Sequence, residues 1–143
     1  MTDVSLFSSP KCLFFGDLLS SKKAVRIGER ADNWIDRHKG FVVLESFNEG
    51  VLSKVSKNPD IVAMLPLNGL ISAEGAAKAR ELERLRTWVS FLQRYSIRFT
   101  VASFGRDEES MRDETERELI CALFGLDCGQ SKMIVKTIER MKD

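Results

Sequence analysis

Two rhythms of apolar residues alternate along this chain. Short, nearly continuous apolar runs are separated by stretches in which apolar residues recur every third or fourth position. Phe41-Val42-Val43-Leu44-Glu45 follows Gly40 and is apolar and β-branched almost throughout, as a strand covered on both faces should be. Ile61-Val62-Ala63-Met64-Leu65 is a second such strand, ended by Pro66, and Ile97 to Ser103 is a third. Lys11 to Gly16 reads as a short buried strand, with a short helix capped from Asp17. Ala24-Val25-Arg26-Ile27-Gly28 alternates, which fits a strand ended by Gly or equally one turn of a longer helix from Asp17. Ala31 to His38 reads as a short helix with Trp34 and Ile35 inward. Asn48 is placed to cap a helix carrying Val51, Leu52 and Val55, stopped by Asn58-Pro59. Asn68-Gly69 marks a turn. The longest helix is predicted from about residue 73 to 95, with Leu82, Leu85, Trp88, Val89 and Leu92 on one face. Two more follow. One, from about 113 to 124, carries Leu119, Ile120 and Leu123 and closes at Gly125. The other, from about 129 to 142, places Ile134, Ile138 and Met141 together. Strand and helix in alternation require parallel strands with helical crossovers, so the fold class is α/β.

Length restricts that class. The 143 residues fit one domain, 1–143, with residues 1–23 irregular. A complete eightfold barrel usually needs about 200 residues or more. With 43% hydrophobic and 30% charged residues, the composition is that of a folded globular chain. No apolar run approaches the roughly 20 residues that span a bilayer. Met1-Thr2-Asp3-Val4-Ser5 does not read as a signal peptide. Cys12, Cys121 and Cys128 are widely spaced and contain no CxxC, which suits three reduced thiols, two of them buried, in a cytoplasmic protein. The single His38 reads as the charged end of a helix before Gly40. Neither residue type supplies a zinc site. GxGxxG, GxxxxGK[ST] and G-x-S-x-G are all missing. Glu45 is the only carboxylate ending an early strand, and a capping or loop-ordering role suits it.

Charge is segregated although the net charge is only +1. Between Ala76 and Arg106, Lys78, Arg80, Arg84, Arg86, Arg94, Arg98 and Arg106 oppose Glu81 and Glu83. Between Asp107 and Glu118 the balance reverses: seven acids oppose Arg112 and Arg117. At about 100° per residue, Arg80, Arg84 and Arg94 fall opposite Leu82, Leu85 and Val89. Lys132, Lys136 and Arg140 form a stripe on the last helix. Arginine forks suit phosphate, whose oxygens they can hold in pairs. A solvated helix face is the plain alternative for each stripe.

Val101-Ala102-Ser103-Phe104-Gly105-Arg106, continuing to Met111-Arg112, resembles a strand and loop of the barrel-type protein subunit of archaeal and eukaryotic ribonuclease P (archaeal protein component 3). Glu118-Leu119, Leu123-Phe124-Gly125-Leu126 and Gln130-Ser131-Lys132 resemble that family's downstream motifs. Phe41-Val42-Val43-Leu44-Glu45-Ser46 and Asn58-Pro59-Asp60 resemble its central strand and the turn before the next. The likeness covers residues 24–140 in short motifs that keep the family's order. It departs at Asp113-Glu114-Thr115-Glu116, where the family usually carries Pro, and at Val62-Ala63-Met64, where it carries Asp-Val-Leu. The first barrel strands are shortened or lost.

The resemblance implies a barrel-like but truncated α/β fold, its gap covered by a helix or completed by another chain. It implies an RNA-binding subunit that supports removal of 5′ leaders from precursor tRNA, with the RNA and its Mg²⁺ ions performing the hydrolysis. No cofactor or catalytic residue is then expected on this chain. Implied partners are the ribonuclease P RNA, precursor tRNA and a small ferredoxin-like subunit; homo-oligomers are compatible. Arg106 and Arg112 are the contacts carried over from the family. Arg80, Arg84, Arg94, Lys132, Lys136 and Arg140 are electrostatic candidates. A protein-interaction scaffold without RNA binding is the alternative, and a metal-dependent phosphoesterase is disfavoured by the single histidine. The RNA reading expects the long helix, the 104–112 loop and the last helix to present one positive face.

Overall fold

The computed structural model describes residues 3–7, 13–20, 24–27, 33–44 and 49–141. Four strands form one sheet in the order β3-β4-β5-β6, every neighbour parallel: β3 (Ala24–Ile27), β4 (Gly40–Leu44), β5 (Ile61–Pro66) and β6 (Phe99–Ala102). β1 (Val4–Ser5) and β2 (Leu13–Phe14) form a second parallel pair. β1 also lies against the chain just past β6. Ser5 bridges Gly105, Leu6 N–H donates to Gly105 O at 2.9 Å and Phe104 N–H donates to Val4 O at 2.8 Å. The six strands thus make the wall of an incomplete barrel, with helical crossovers α2 (Glu49–Ser56) and α4 (Gly75–Arg94) between its later strands. The expected α/β fold, truncated and barrel-like, is the fold observed.

Side chains alternate between the two faces of a strand, and in β4, β5 and β6 both faces are buried. Phe41 pairs with Val62 and Val43 with Met64 on the inner face, while Val42 pairs with Ala63 on the outer. The outer face packs on Val51, Leu52 and Val55 of α2 and on Leu85, Trp88, Val89 and Leu92 of α4. This double coverage is why these strands read as continuous apolar runs.

α1 (Phe15–Ser20) covers the gap between β2 and β3. It packs on both strands, and its Phe15 and Leu18 join the inner cluster, Phe15 meeting Phe104 edge-on at 5.0 Å between ring centres. α6 (Cys128–Met141) lies along β6. Val135 enters the outer cluster and Ile138 the inner one, and the buried Thr100 hydroxyl donates to Ile134 O at 2.7 Å. Among the described residues no helix is long and apolar enough to cross a membrane.

Several local expectations change. Asn68-Gly69 is not a free turn but opens a short helix, α3 (Asn68–Ser72). Leu67 and Leu70 are buried there and Leu67 N–H donates to Ala102 O, so tertiary anchoring overrides turn preference. Pro66 is the last residue of β5 rather than the stop beyond it. Of the two readings of residues 24–28 the strand holds, as Ala24–Ile27, whereas residues 33–37 form a 3₁₀ turn rather than a longer helix. β6 begins only at Phe99. Gly28, Glu45, Asn48, Cys12 and the Trp34 side chain lie outside the described residues. Cys121 is buried, whereas Cys128 is exposed.

The largest correction concerns α5 (Glu114–Leu123). Leu119 and Leu123, expected to pack, are 64% and 48% exposed. The helix instead turns Arg117 and Cys121 inward. Its start is fixed by a capping box: Asp113 accepts from Glu116 N–H at 2.7 Å, and the Glu116 carboxylate accepts from Asp113 N–H.

Candidate nucleic-acid interface

Parallel α/β strands leave an open crevice at their carboxyl ends, where loops and helix starts converge. Here that crevice is a cleft of about 400 Å³. Leu6, Phe15, Val43 and Phe104 supply apolar lining, and Pro66, Asn68 and Gly69 follow the end of β5. Among the described residues, Arg26, Arg84 and Arg106 and the acid Glu81 line it as well.

Each arginine arrives from a different element. Arg26 pairs in register with Val43, an inner-face residue, so it stands on the inner face of β3. It is exposed, and its guanidinium lies 5.1 Å from the centre of the Phe15 ring. Arg84 is held in place on α4. It forks onto the Glu81 carboxylate, with Nε donating to Oε2 at 3.1 Å and Nη2 to Oε1, and stacks 4.7 Å from the centre of the Trp88 ring. Arg106 is exposed and has no side-chain hydrogen bond or ion pair among the described residues.

The chain reaches Arg106 through unusual backbone. Phe104 has φ +51°, a left-handed conformation that bulky residues rarely adopt. It stays there because its ring is buried in the inner cluster and its N–H donates to Val4 O. At Gly105 a Cβ would stand 2.7 Å from Met111 Sδ and 3.0 Å from the Ser110 backbone, so any side chain here forces its neighbours to shift. Farther along the loop, Asp107 Oδ1 accepts from Ser110 N–H at 2.9 Å and from its hydroxyl at 2.7 Å. These bonds hold the Asp107 carboxyl below its ordinary range.

Behind this loop lies a buried charge cluster that sequence reasoning missed. The Asp3 carboxylate accepts from Val4 N–H at 2.8 Å, Ser103 N–H at 2.9 Å and the Ser103 hydroxyl at 2.5 Å. Arg117 Nε is 3.5 Å from Asp3 Oδ2. Both residues are buried, Arg117 completely. Burial is the largest influence on the Asp3 carboxyl and pushes it up, opposed by Arg117 and by the bonds from Ser103 and Val4. Burial also pushes the Cys121 thiol up to about 12, against the pull of Arg117. The Ser103 hydroxyl accepts from Arg112 N–H at 2.9 Å, which ties the basic loop to this cluster. One signal was available in the sequence: Arg117, Cys121 and Phe124 share a helical face, and the last two are apolar.

The sequence-derived candidates divide. Arg84 and Arg106 meet in the cleft, with Arg26 as an addition. Arg112 instead lines a different groove. Its Nη1 donates to Glu109 O at 2.9 Å and Met111 O at 3.1 Å, and its Nε lies 3.6 Å from Glu116 Oε2. Arg80 is exposed one turn before Arg84. Arg94 sits at the far end of α4, roughly 15 Å along the axis from Arg84, against Phe91. Lys132 and Lys136 are exposed on α6, which packs chiefly on α5 and β6; the Arg140 side chain lies outside the described residues. Two other arginines of the basic segment serve the fold: Arg86 Nε donates to Leu123 O at 2.6 Å and Arg98 Nη2 to Pro59 O at 2.7 Å. Of the candidates whose side chains are described, Arg84 and Arg106 alone share the cleft.

The second groove, about 580 Å³, lies between α3, α4 and α5. Leu70, Ile71, Leu82, Leu119, Ile120 and Leu123 give it an apolar lining, and Lys78, Arg112 and Glu116 also border it. Among the described residues no three His, Cys, Asp or Glu side chains gather as a metal site.

Neither a family model nor a curated protein matches this sequence. Among solved structures, a chain from the cryo-EM structure of an archaeal ribonuclease P with mature tRNA shares the fold. The TM-score is 0.63 at 11% identity, covering 75% of this chain and 49% of that one. The protein therefore spans about half the length of the chain it matches and has the fold of that part of a ribonuclease P structure.

Proposed function

We propose that this protein is an RNA-binding subunit of a ribonuclease P-type ribonucleoprotein. The reading is carried by one observation: a cleft lined, among the described residues, by Arg26, Arg84, Arg106 and Glu81, on a fold shared with a chain of a ribonuclease P–tRNA structure. In this reading the protein neutralises and positions folded RNA. The RNA, with bound Mg²⁺, hydrolyses the precursor-tRNA leader, and this chain contributes no catalytic group. Its partners are that RNA, precursor tRNA and a small protein subunit, in a cytoplasmic setting. Arg106 and Arg84 are the foremost contacts. Arg80, Arg94, Lys132, Lys136 and Arg140 add long-range attraction. Arg112 acts by holding the 104–112 loop, so Arg112→Ala lowers cleavage by the reconstituted ribonucleoprotein.

Titration of the protein against a folded precursor tRNA at increasing salt tests this. Affinity falls linearly on logarithmic axes, with a slope of about 0.7–0.9 per phosphate neutralised. A weak response that ignores salt overturns the reading. A second reading, a protein-interaction scaffold without RNA binding, is favoured by the open apolar groove with Leu119 and Leu123. It predicts that flat titration together with stable association of a protein subunit that Leu119→Asp abolishes.

A further inference from the structure

α5 has two apolar faces. The inner one, Cys121 and Phe124 beside the buried Arg117, packs on the body of the protein. On the other side, at about 100° per residue, Thr115, Leu119, Ala122 and Leu123 fall within one sector about 100° wide. All four are exposed. Among the described residues, Leu119 and Leu123 join neither apolar cluster. An outward apolar stripe on a folded helix marks a contact surface.

The stripe borders the groove of about 580 Å³ between α3, α4 and α5. Leu70, Ile71 and Leu82 line it from α3 and α4, and Leu119, Ile120 and Leu123 line it from α5. Its walls are fixed to each other. Arg86 Nε on α4 donates to Leu123 O at 2.6 Å, and the capping box holds the start of α5.

Charge decides what fits. Arg112 and Glu116, at 3.6 Å, neutralise each other at the groove's edge. Lys78 on the α4 wall and Glu118 on α5 have no ion pair among the described residues. Glu118 falls about 100° to one side of Leu119, whereas Ile120, which lines the groove, falls about 100° to the other. Glu118 therefore stands on the flank of the stripe away from the groove. With Glu116 and Glu118 on either side, the stripe repels a polyanion such as RNA. The occupant has to be short and apolar, and negative on the flank that meets Lys78. α5 itself answers that description. A two-fold axis that seats each α5 in the other copy's groove turns its outer flank toward the second α4. Glu118 of each copy then faces Lys78 of the other, twice over, as an isologous interface requires.

We propose that this protein forms a two-fold homodimer in which α5 of each copy docks in the α3–α4–α5 groove of the other. Leu119 and Leu123 are the anchors, and Glu118 and Lys78 the flanking pair. The dimer does not rest on RNA binding. Arg84 and Leu82 point roughly 200° apart around α4, so the cleft beside Arg84 stays open on each copy.

Sedimentation of the full chain across the micromolar range tests this. The native protein is expected to pass from the mass of one chain to that of two as concentration rises. Leu119→Asp, at a position the folded monomer leaves exposed, is expected to weaken association roughly a hundredfold or more, because it carries an unpaired carboxylate into each apolar groove. Lys78→Glu and Glu118→Lys each weaken it roughly tenfold and together recover it, since the axis repeats every exposed ion pair. A native chain that stays at monomer mass throughout overturns the proposal. So does a dimer that Leu119→Asp retains. Reversed charges that recover nothing overturn the two-fold seating. A monomer whose association with a small protein subunit is lost in Leu119→Asp gives the groove to that subunit and overturns the dimer. RNA binding without a dimer overturns the dimer alone, and a dimer without RNA binding overturns only the function proposed above.

Discussion

Arg106 stands exposed at the barrel mouth with no side-chain partner among the described residues, whereas Arg117, on the helix that follows, is fully buried beside Asp3. The two are neighbours in sequence and alike in chemistry. A count of charges treats them as equals. Burial separates them: one can meet a ligand, and the other holds the first strand to the end of the last. The difference teaches that a tally of arginines is a mixture, to be divided by where each guanidinium ends up.

The sharpest way to break this comparison is Arg117→Ala. It removes the counter-cation of a buried acid and leaves a void, so urea unfolding should show a loss of about 3–5 kcal/mol. Arg106→Gln should change stability by no more than about 0.5 kcal/mol while weakening RNA binding. Similar stability losses in both would erase the distinction. Next in size is Gly105→Ala. The added methyl meets Met111 and the Ser110 backbone, and overpacking of this kind costs about 1–3 kcal/mol; thermal unfolding measures it. Asp113→Ala, which removes the α5 cap, should cost about 1 kcal/mol, read by the same unfolding. Asp3→Asn should lie near or below that loss. Its carboxyl is pushed up from an ordinary 3.8, so the folded chain holds the proton more tightly than the unfolded one. Ionisation of Asp3 then works against folding. The opposition is absent below 3.8 and grows as pH rises through the raised value. Wild type should therefore gain stability relative to Asp3→Asn as pH is lowered through that window. A difference that moves the other way would show the ion pair outweighing burial.

The sequence revealed the strands best. Phe41–Leu44 and Ile61–Leu65 are apolar at every position because both faces are covered. The α4 stripe was equally legible: Leu85, Trp88, Val89 and Leu92 all pack. α5 was misread because its apolar residues lie on two faces, and the burial of one arginine decided which face turned inward. No local pattern announces a partner as distant as Asp3. In the site, the pattern singled out Arg84 and Arg106 among many basic residues but not which of them would share the cleft, which depends on how strands and helix ends are arranged in space. Arg26 was visible only as the one charge in an alternating run. Its meaning came from register, which set it opposite Val43.

One link has a consequence for the order of assembly. Asp3 bonds to Ser103, 100 residues away. During synthesis β1 can pair with β2 early, but its bridge to the end of β6 and the Asp3 ion pair wait until Ser103, Gly105 and Arg117 have emerged and folded. The β3–β6 sheet can form earlier from neighbouring segments, so docking of β1 is the late, slow event, as contacts between distant parts of a chain generally are. Until then the Val4 side of the inner layer faces water in the nascent protein, and that is the interval in which it is most exposed to aggregation.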